Sequence, residues 1–289
     1  MTLQITPHAA DFGARVECPA LANAADTGAL AELVPHIRAA WLQHQVLYFP
    51  QQPLTHAQLS AFTLALGDWG AEPYLAGIED SPHIVEVKRE AKEQASPFGS
   101  AWHSDWSFRR EPPAATILHS KVIPPHGGDT LYADGYRAFE ALPASLQSAL
   151  TEVEALHSAR RSYSHAGFLA GGGDLRSMSI RPNDDAYATQ RHPVLRTHPE
   201  TGRTALWINR VYTIDLVGPE PEEAQRLLTY LLEHSVQEQF IYRHLWQPDM
   251  LALWDNRSVQ HCAEGGYDGH RRLLHRTTVA GDQPYFRSA

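Results

Sequence analysis

The chain has 289 residues and a formal net charge of -9 at pH 7. A negative balance argues against a nucleic-acid or anionic-membrane partner, because those surfaces require a basic footprint. Cys18 and Cys262 are the only cysteines, so no disulfide framework is expected. The sequence starts without a basic stretch followed by an apolar one, and no window has 18 uninterrupted apolar residues. We therefore expect a cytoplasmic protein that has no membrane span.

The N-terminal part of the chain alternates between strand and helix patterns. Alternating or continuous short apolar runs predict strands, and apolar residues at helical spacing predict helices. The predicted ranges, in chain order, are a strand at 3–6, a helix at 30–41, a strand at 46–49 and a helix at 55–66. Thr55 is a suitable N-cap for the second helix, and Gly67 ends it. This layer carries no pattern with obvious chemistry.

Two irregular segments are candidates for lids. Residues 69–100 are polar and rich in Gly and Pro, and only a short predicted strand at 84–87 interrupts them. Residues 162–183 include the run Gly171-Gly172-Gly173, which is typical of a loop. Long loops beside a site often cover it or contact the substrate. The alternative, a plain surface loop, stays open for residues 69–100.

A His-x-Asp pair follows the first of these segments. Residues 101–106 predict a short strand, in which His103 and Asp105 would project from the same face. One imidazole and one carboxylate supply two of the three ligands of the facial triad that suits non-haem Fe(II). The pair alone does not define a metal site, because 17 histidines in one chain make chance pairs common. It needs a second, distant histidine.

The rest of the chain is mostly strand-like in pattern and contains no internal repeat or low-complexity linker. We therefore predict one domain over residues 1–289. Helices are expected to begin at 134, 143 and 219. The remaining predicted strands are 115–120, 131–133, 192–195, 205–208, 240–246, 251–254 and 273–279.

The last part of the chain supplies the distant histidine and two well-placed cations. His261 follows the motif Trp254-Asp255-Asn256-Arg257. In the strand that follows, Arg272 and Arg276 fall on one face, about 13 Å apart. Arginines so placed could flank a metal centre, since each guanidinium can form paired hydrogen bonds with an anion.

Four motifs in this order resemble one known family. They are Trp102-His103-Ser104-Asp105, Gly127-Gly128-Asp129-Thr130, Trp254-Asp255-Asn256-Arg257 followed by Gln260-His261, and Arg271-Arg272-Leu273-Leu274-His275-Arg276-Thr277. Together they are similar to the TauD/TfdA family of Fe(II)- and 2-oxoglutarate-dependent dioxygenases, which includes taurine dioxygenase and 2,4-dichlorophenoxyacetate dioxygenase. The resemblance extends from Leu47-Tyr48-Phe49-Pro50 to Gly281-Asp282.

The resemblance implies a fold, a reaction and a set of site residues. The fold is a mainly β protein with flanking helices around a double-stranded β-helix, or jelly roll. Fe(II), the cosubstrate 2-oxoglutarate and O2 are the implied cofactors. Homo-oligomers, dimers or tetramers, are common in the family. The implied residues are His103, Asp105 and His261 as iron ligands, Thr130 and Arg272 on the distal carboxylate of 2-oxoglutarate, Arg276 on an anionic group of the substrate, and Trp254 close to the iron.

Several of these positions have structural alternatives. Arg272 or Arg276 could be a structural arginine paired with a carboxylate inside the barrel, and Thr130 could be a turn residue. Tyr74, Trp102 and Tyr212 are candidate walls of a substrate pocket, but aromatic residues are equally common in a core. His275 lies on the face opposite the two arginines and is expected to be structural. His8, His44 and His198 are expected at the surface.

The sequence departs from the taurine enzymes near the predicted lid. Those enzymes contact the substrate through a histidine-containing segment and an asparagine just before the metal motif. The matching stretches here are Glu72-Pro73-Tyr74-Leu75 and Phe98-Gly99-Ser100. This difference favours an alkyl or aryl anion without an amino group over taurine. Asp105 favours hydroxylation, because related halogenases have a small residue at that position.

The expected function is hydroxylation of a small organic anion, such as an alkylsulfonate, alkyl sulfate, or aryloxy or alkyl carboxylate. The product would fragment where the hydroxylated carbon bears a sulfonate, sulfate ester or ether oxygen. One alternative keeps the chemistry but acts on an amino-acid-like biosynthetic intermediate. Another class of function is a non-catalytic, metal-binding jelly roll that senses a small molecule. A peptide or nucleic-acid hydroxylase is disfavoured by the charge of -9.

Overall fold

A computed structural model describes residues 3–170 and 176–288, apart from the side chain at position 10. Within these ranges the chain forms sixteen strands and seven α-helices. The helices are α1 Leu21–Thr27, α2 Leu30–His44, α3 His56–Leu66, α4 Gly135–Glu140, α5 Ala144–Ala149, α6 Arg160–Tyr163 and α7 Pro221–His234. The strands are β1 Gln4–Pro7, β2 Ala14–Glu17, β3 Val46–Phe49, β4 Gly77–Ile78, β5 Ser81–Arg89, β6 Ala115–Val122, β7 Thr130–Asp134, β8 Glu154–Ser158, β9 Thr189–Pro193, β10 Leu195–Thr197, β11 Thr204–Leu206, β12 Thr213–Val217, β13 Ile241–His244, β14 Leu251–Asp255, β15 Val259–Ala263 and β16 Arg272–Val279. In the described part of the chain, no helix combines the length and apolarity needed to cross a bilayer.

The largest sheet has eight strands in the order β1-β2-β3-β14-β6-β16-β5-β4. Its central strands β14, β6 and β16 come from distant parts of the chain and pair antiparallel. These strands are buried along most of their length, because helices cover one face of the sheet and a second sheet covers the other. The β16 register places Arg276 opposite Leu118 of β6 and Val85 of β5, near the middle of this sheet.

A smaller sheet, β13-β7-β15, faces the large one. Apolar and aromatic side chains from both sheets form the core between them, including Tyr132 of β7, Val259 of β15 and Trp254 of β14. The strand β15 is also held by a short backbone bridge to His103. The candidate metal ligands therefore lie where the two sheets meet.

Helices α1 to α3 pack on the outer face of the large sheet around a second apolar core. The predicted cap of α3 is confirmed, since Thr55 and Gln58 form a reciprocal capping box. A third core joins α4 and α7 to β8, β10, β11 and β12. The helix expected from 219 begins at Pro221, and the strand expected at 192–195 is divided at Val194 into β9 and β10.

The expected surface positions of His44 and His198 are wrong. Both side chains are almost fully buried, and each has a carboxylate partner, which is exposed for His44 and buried for His198. His44 Nδ1 lies 3.2 Å from Asp11 Oδ1, and His198 Nε2 lies 3.1 Å from Asp255 Oδ2. Neither partner is adjacent in sequence, so no local pattern could have indicated the burial.

Buried histidines make the fold sensitive to acid, as His119 on β6 illustrates. The His119 ring is fully buried, and its Nε2 donates to the Gln52 carbonyl oxygen at 2.8 Å. Burial lowers the pKa of His119 to about 4, and Lys121 acts in the same direction. The unfolded chain, with a histidine pKa near 6.5, takes up a proton that the folded chain excludes. Stability is therefore complete above about pH 6.5 and falls as the pH drops toward 4.

We expect protonation of His119 in the unfolded chain to lower the free energy of unfolding by about 1–2 kcal/mol between pH 7 and pH 5. His119→Gln keeps a donor for the Gln52 carbonyl but cannot titrate, so it should lose that share of the pH dependence. Urea unfolding of both proteins at pH 7 and pH 5 measures the difference. Equal pH dependence in the two proteins would contradict the expectation.

Candidate active site

Three buried side chains from two parts of the chain converge between the sheets. His103 and Asp105 precede β6, and His261 lies on β15; one candidate ligand atom from each lies within 4.8 Å of the others. Asp105 Oδ1 is 3.7 Å from His103 Nε2 and 3.9 Å from His261 Nε2. Reciprocal backbone hydrogen bonds of 3.0 and 2.8 Å join His103 to His261 and fix the two imidazoles side by side.

The strand predicted at 101–106 is wrong. His103 forms only an isolated bridge, and the chain turns from Asp105 onward. The turn brings Trp106 into a left-handed backbone conformation, with φ of 48°, and directs its indole Nε1 to Glu72 Oε2 at 3.0 Å. His103 and Asp105 still face the same space, because the bridge to His261 and the turn orient them instead of a pleated strand.

The protonation states of the three side chains suit metal binding. Burial lowers the pKa of both His103 and His261 below the ordinary value, which favours neutral imidazoles. His103 Nδ1 donates to the Ala101 carbonyl oxygen at 2.7 Å, so its Nε2 keeps a free lone pair. Burial acts to raise the pKa of Asp105, but the nearby Arg276, together with the hydrogen bond from Thr116, outweighs it, and the pKa lies at about 2.

A chain of hydrogen bonds behind Asp105 fixes its orientation. Thr116 Oγ1 on β6 donates to Asp105 Oδ2 at 2.5 Å. Asn256 donates from Nδ2 to Thr116 Oγ1 at 2.9 Å, and its Oδ1 accepts from the Trp254 indole at 3.0 Å. Partners of this kind hold a metal ligand in one orientation.

These residues fit a non-haem iron centre. Two imidazoles and one carboxylate with open space beside them form the donor set of 2-His-1-carboxylate Fe(II) sites. His261 Nδ1 is buried and has no hydrogen-bond partner among the described residues. The Nε2 atoms of His103 and His261, in contrast, both face Asp105 Oδ1, so the three donors are directed at one another as a metal site requires.

A cavity of about 430 Å³, here named the basic cavity, opens beside the three side chains. Its lining includes His103, Asp105 and His261, and also Thr130, Arg272 and Arg276. Arg272 and Arg276 both line this cavity from β16, as expected from their position on the same face of that strand. Trp254 also lines this cavity, and its ring centroid lies 4.6 Å from that of His261.

Arg272 is a buried cation that has no carboxylate partner among the described residues. Arg89, Arg196, Arg257 and Arg276, the other buried arginines of the described residues, each lie within ion-pair distance of a carboxylate. Within the same ranges Arg272 has no such partner, and its Nε donates only to the Gly128 carbonyl oxygen at 3.2 Å. Because an uncompensated buried charge is costly, this position can hold an anion.

The glycine pair before Thr130 allows Arg272 to reach this position. Gly128 has a φ of 74°, which favours glycine. A β-carbon there would meet Arg272 Nε at 3.0 Å. Gly127 approaches the Gly266 carbonyl oxygen more closely still, since a β-carbon would lie 2.6 Å from it. The motif Gly127-Gly128-Asp129-Thr130 therefore brings the start of β7 against the arginine.

A second cavity of about 430 Å³, here named the aromatic cavity, adjoins His103 from the other side. Its walls are mostly apolar and include Phe98, Tyr163, Phe168, Leu169 and Tyr212. Both cavities share Phe98, Gly99 and His103. An apolar molecule in the aromatic cavity would therefore lie next to the candidate metal ligands.

The three predicted aromatic wall residues have different positions. Tyr212 lines the aromatic cavity, and its ring centroid is 6.3 Å from that of His103. Tyr74 and Trp102 are not among the described residues that line either cavity. Tyr74 lies behind the wall, stacked on Tyr163 with ring centroids 4.5 Å apart. Trp102 is half-buried.

The sequence did not indicate Phe98, Tyr163, Phe168 and Leu169 as wall residues. Phe98 lies in the first predicted lid segment, and the other three lie in the second. The sequence predicts the segments but not which of their side chains point inward. Residues 171–175, which include the predicted run Gly171-Gly172-Gly173, lie outside the described residues. Thr116 is one of several polar residues of β6, so no pattern in the sequence distinguishes it.

Comparisons with known proteins agree with this arrangement. The model of the family "Taurine catabolism dioxygenase TauD, TfdA family" matches residues 4–278. An (S)-phenoxypropionate/alpha-ketoglutarate-dioxygenase from Sphingobium herbicidovorans is 32% identical over 96% of this chain and 95% of its own. An alpha-ketoglutarate-dependent 2,4-dichlorophenoxyacetate dioxygenase from Cupriavidus pinatubonensis is 36% identical over 83% of this chain and 86% of its own.

Solved structures give the same result. The crystal structure of a taurine dioxygenase from Burkholderia xenovorans matches with a TM-score of 0.78 and 30% identity, over 98% of this chain and 92% of that one. The expected mainly β fold with a jelly-roll core is thereby confirmed. Because the family model covers nearly the whole chain and the relatives match along most of their length, this chain belongs to the TauD/TfdA family of dioxygenases.

Proposed function

We propose that the chain is an Fe(II)- and 2-oxoglutarate-dependent dioxygenase that hydroxylates a small organic acid. The observation that carries this proposal is the convergence of His103, Asp105 and His261 beside a buried arginine that lacks an acidic partner among the described residues. His103, Asp105 and His261 would hold Fe(II). Arg272 and Thr130 would hold the far carboxylate of 2-oxoglutarate. A related protein, AAD-2, has been crystallised with Mn(II) and N-oxalylglycine, a metal ion and a small dicarboxylate.

The protein's own residues would bind the substrate, orient the substrate and the metal ligands, and exclude water from the site. O2 would supply the oxidising power for hydroxylation, and bound Fe(II) and 2-oxoglutarate would supply the electrons that activate it. Thr116 and Asn256 keep Asp105 in one orientation, so the carboxylate stays directed at the metal. Phe98, Tyr163 and Tyr212 belong to the mostly apolar wall that would hold the substrate carbon beside His103.

We also propose that residues 1–289 act as one catalytic domain, with both irregular segments over the site. Phe98 and Gly99 of the 69–100 segment line the aromatic cavity together with Tyr163, Phe168 and Leu169 of the 162–183 segment. This position supports a role in substrate contact. An assembly into dimers or tetramers, common in the family, is part of the same proposal.

The names of the relatives support a small organic acid as the substrate of this chain. Their names describe action on phenoxypropionate, 2,4-dichlorophenoxyacetate, sulfate esters and sulfonates. The test is succinate release from 2-oxoglutarate by the Fe(II)-reconstituted protein in air, across alkylsulfonates, alkyl sulfates, aryloxyacetates and amino acids. Strong stimulation by one class supports the proposal. Iron-bound protein that releases no succinate with any member would favour the non-catalytic sensor.

Arg272→Ala should raise the KM for 2-oxoglutarate by about 30-fold or more, because removing one partner of a buried charge pair costs about 2 kcal/mol or more. Arg272→Lys, which keeps the charge but loses the paired donors, should give a smaller increase. Succinate release measured against 2-oxoglutarate concentration gives both values. An unchanged KM in Arg272→Ala, with iron bound normally, would assign the cosubstrate to another residue.

A further inference from the structure

The hydroxyl group of Thr130, which is proposed to bind the far carboxylate of 2-oxoglutarate, is itself held by a buried indole. Trp246 Nε1 donates to Thr130 Oγ1 at 3.0 Å. Thr130 is 2% exposed and Trp246 is 8% exposed. Thr130 lines the basic cavity, whereas Trp246 is not among the described residues that line it. Trp246 therefore contacts Thr130 from outside the cavity.

The direction of this hydrogen bond determines what the threonine can bind. An indole N–H can only donate, whereas a hydroxyl group has one proton and two lone pairs. The indole occupies one lone pair of Thr130 Oγ1, so the hydroxyl proton points away from Trp246. Within the described ranges Thr130 Oγ1 makes no other hydrogen bond. Because an ionised carboxylate can only accept, the hydroxyl proton is left for such a group in the basic cavity.

The pairing of two strands places the indole beside Thr130. In the antiparallel pair of β13 and β7, His244 at the end of β13 lies opposite Thr130 at the start of β7. Trp246 follows two residues later and is buried, while Leu245 between them is 64% exposed. The rings of His244 and Trp246 meet edge to face, with centroids 4.6 Å apart and an angle of 88° between the planes. This favoured contact holds the plane of the indole.

The same indole also lies near Arg272, the other residue proposed to bind the far carboxylate. The guanidinium carbon of Arg272 is 6.0 Å from the centre of the Trp246 ring and 6.0 Å from that of the Tyr267 ring. These distances are at the outer limit of a cation–π interaction. The two buried rings therefore act mainly by restricting the space around the guanidinium, and the hydrogen bond to Thr130 is the stronger contact of Trp246.

We infer that Trp246 is a positioning residue, which directs the Thr130 hydroxyl at the far carboxylate of 2-oxoglutarate and so favours a dicarboxylate cosubstrate. The inference rests on the proposed function. Without the indole N–H, the threonine hydroxyl is free to rotate, and its proton is no longer directed at the cavity. The loss should be confined to ligands that carry the far carboxylate, because neither Trp246 nor Thr130 is a candidate metal ligand.

The test is equilibrium binding of two keto acids that differ only at the far end. 2-Oxoglutarate has a carboxylate there, and 2-oxopentanoate has a methyl group on a chain of the same length. Calorimetry on the Fe(II)-loaded protein without O2 gives a Kd for each. Trp246→Phe keeps an aromatic ring but removes the N–H donor. We expect it to raise the Kd of 2-oxoglutarate by about fivefold or more and to leave the Kd of 2-oxopentanoate unchanged.

Two further variants separate positioning from packing. Thr130→Val should raise the Kd of 2-oxoglutarate by about tenfold or more. Adding Trp246→Phe to Thr130→Val should change that Kd little further, because the indole then has no hydroxyl to orient. Trp207→Phe is the matched control, since it removes a different buried indole donor, from Trp207 Nε1 to the Asn256 carbonyl oxygen at 2.9 Å. It should leave the ratio of the two Kd values unchanged.

Three results would overturn the inference and leave the proposed function standing. The first is unchanged binding of 2-oxoglutarate in Trp246→Phe. The second is an equal loss of both keto acids in that variant, which would mean that the indole acts through packing alone. The third is a loss in the double variant equal to the product of the two single losses, which would mean that Trp246 does not act through Thr130. If the wild-type protein binds 2-oxoglutarate no tighter than 2-oxopentanoate, the proposed cosubstrate site itself fails.

Discussion

Asp105→Ala should reduce Fe(II)-dependent succinate release by at least about a hundredfold. Loss of a residue that merely supports a metal ligand costs about 10–100-fold in metal affinity or activity, and Asp105 is proposed as a ligand itself. Its carboxylate is also the nearest acid to Arg276 Nη2, at 3.2 Å, so the variant leaves that buried cation with less compensation. Iron binding measured by equilibrium dialysis, together with succinate release, gives the two expected losses.

Thr116→Val is the matched control for Asp105→Ala. It removes the 2.5 Å hydrogen bond to Asp105 Oδ2 but leaves all three candidate ligands in place. We expect a loss of about 10–100-fold in iron affinity, smaller than that of Asp105→Ala. Normal iron binding and turnover in Asp105→Ala would remove this residue from the metal site.

Arg257→Ala should lower the free energy of unfolding by about 3–5 kcal/mol, because it breaks a buried ion pair on one side only. Arg257 Nη2 lies 2.8 Å from Asp255 Oδ2, and both side chains are less than 5% exposed. Nη1 also contacts Glu200 Oε1 at 2.7 Å. Arg257 contributes most to holding the pKa of Asp255 well below its usual range, so the variant would leave an ionised carboxylate poorly compensated.

Arg226→Ala is the matched control for this loss. Arg226 pairs with Glu222 on α7 at 3.8 Å, with both side chains more than 70% exposed. Exposed pairs of this kind contribute about 0.5 kcal/mol or less. Urea unfolding of the two variants at pH 7 compares them directly. A loss in Arg257→Ala no greater than that in Arg226→Ala would show that the buried pair has no special part in stability.

The motifs that resemble the family indicate the centre of the site, and local spacing accounts for two pairs of its residues. His103 and Asp105 are two residues apart, and Arg272 and Arg276 share one face of β16, so each pair was placed without knowledge of the fold. The strand predicted around His103 was nevertheless wrong, since a bridge to His261 orients that histidine. The Trp254-Asp255-Asn256-Arg257 motif is visible in the sequence, but the ion pairs of Arg257 are seen only in the folded chain.

What the sequence could not indicate depends on contacts between distant residues. Glu72 reaches Arg276 across some 200 positions, and His198 reaches Asp255 from another sheet. No periodicity connects such residues. The aromatic cavity has the same origin, because Phe98 and Tyr163 come from two irregular segments that meet only in the folded chain. Irregular segments lack the repeating patterns from which inward-facing side chains are inferred.

The most direct test of the central claim is whether succinate formation from 2-oxoglutarate requires both iron and O2. Purified protein would be assayed with Fe(II) in air, with Fe(II) under argon, and after chelation of the metal. We expect succinate above background only with Fe(II) in air, and none in Asp105→Ala under the same conditions. Succinate formation that is equal in all three conditions, or absent from iron-loaded protein in air with every acid of the panel, would contradict the assignment as a 2-oxoglutarate-dependent dioxygenase.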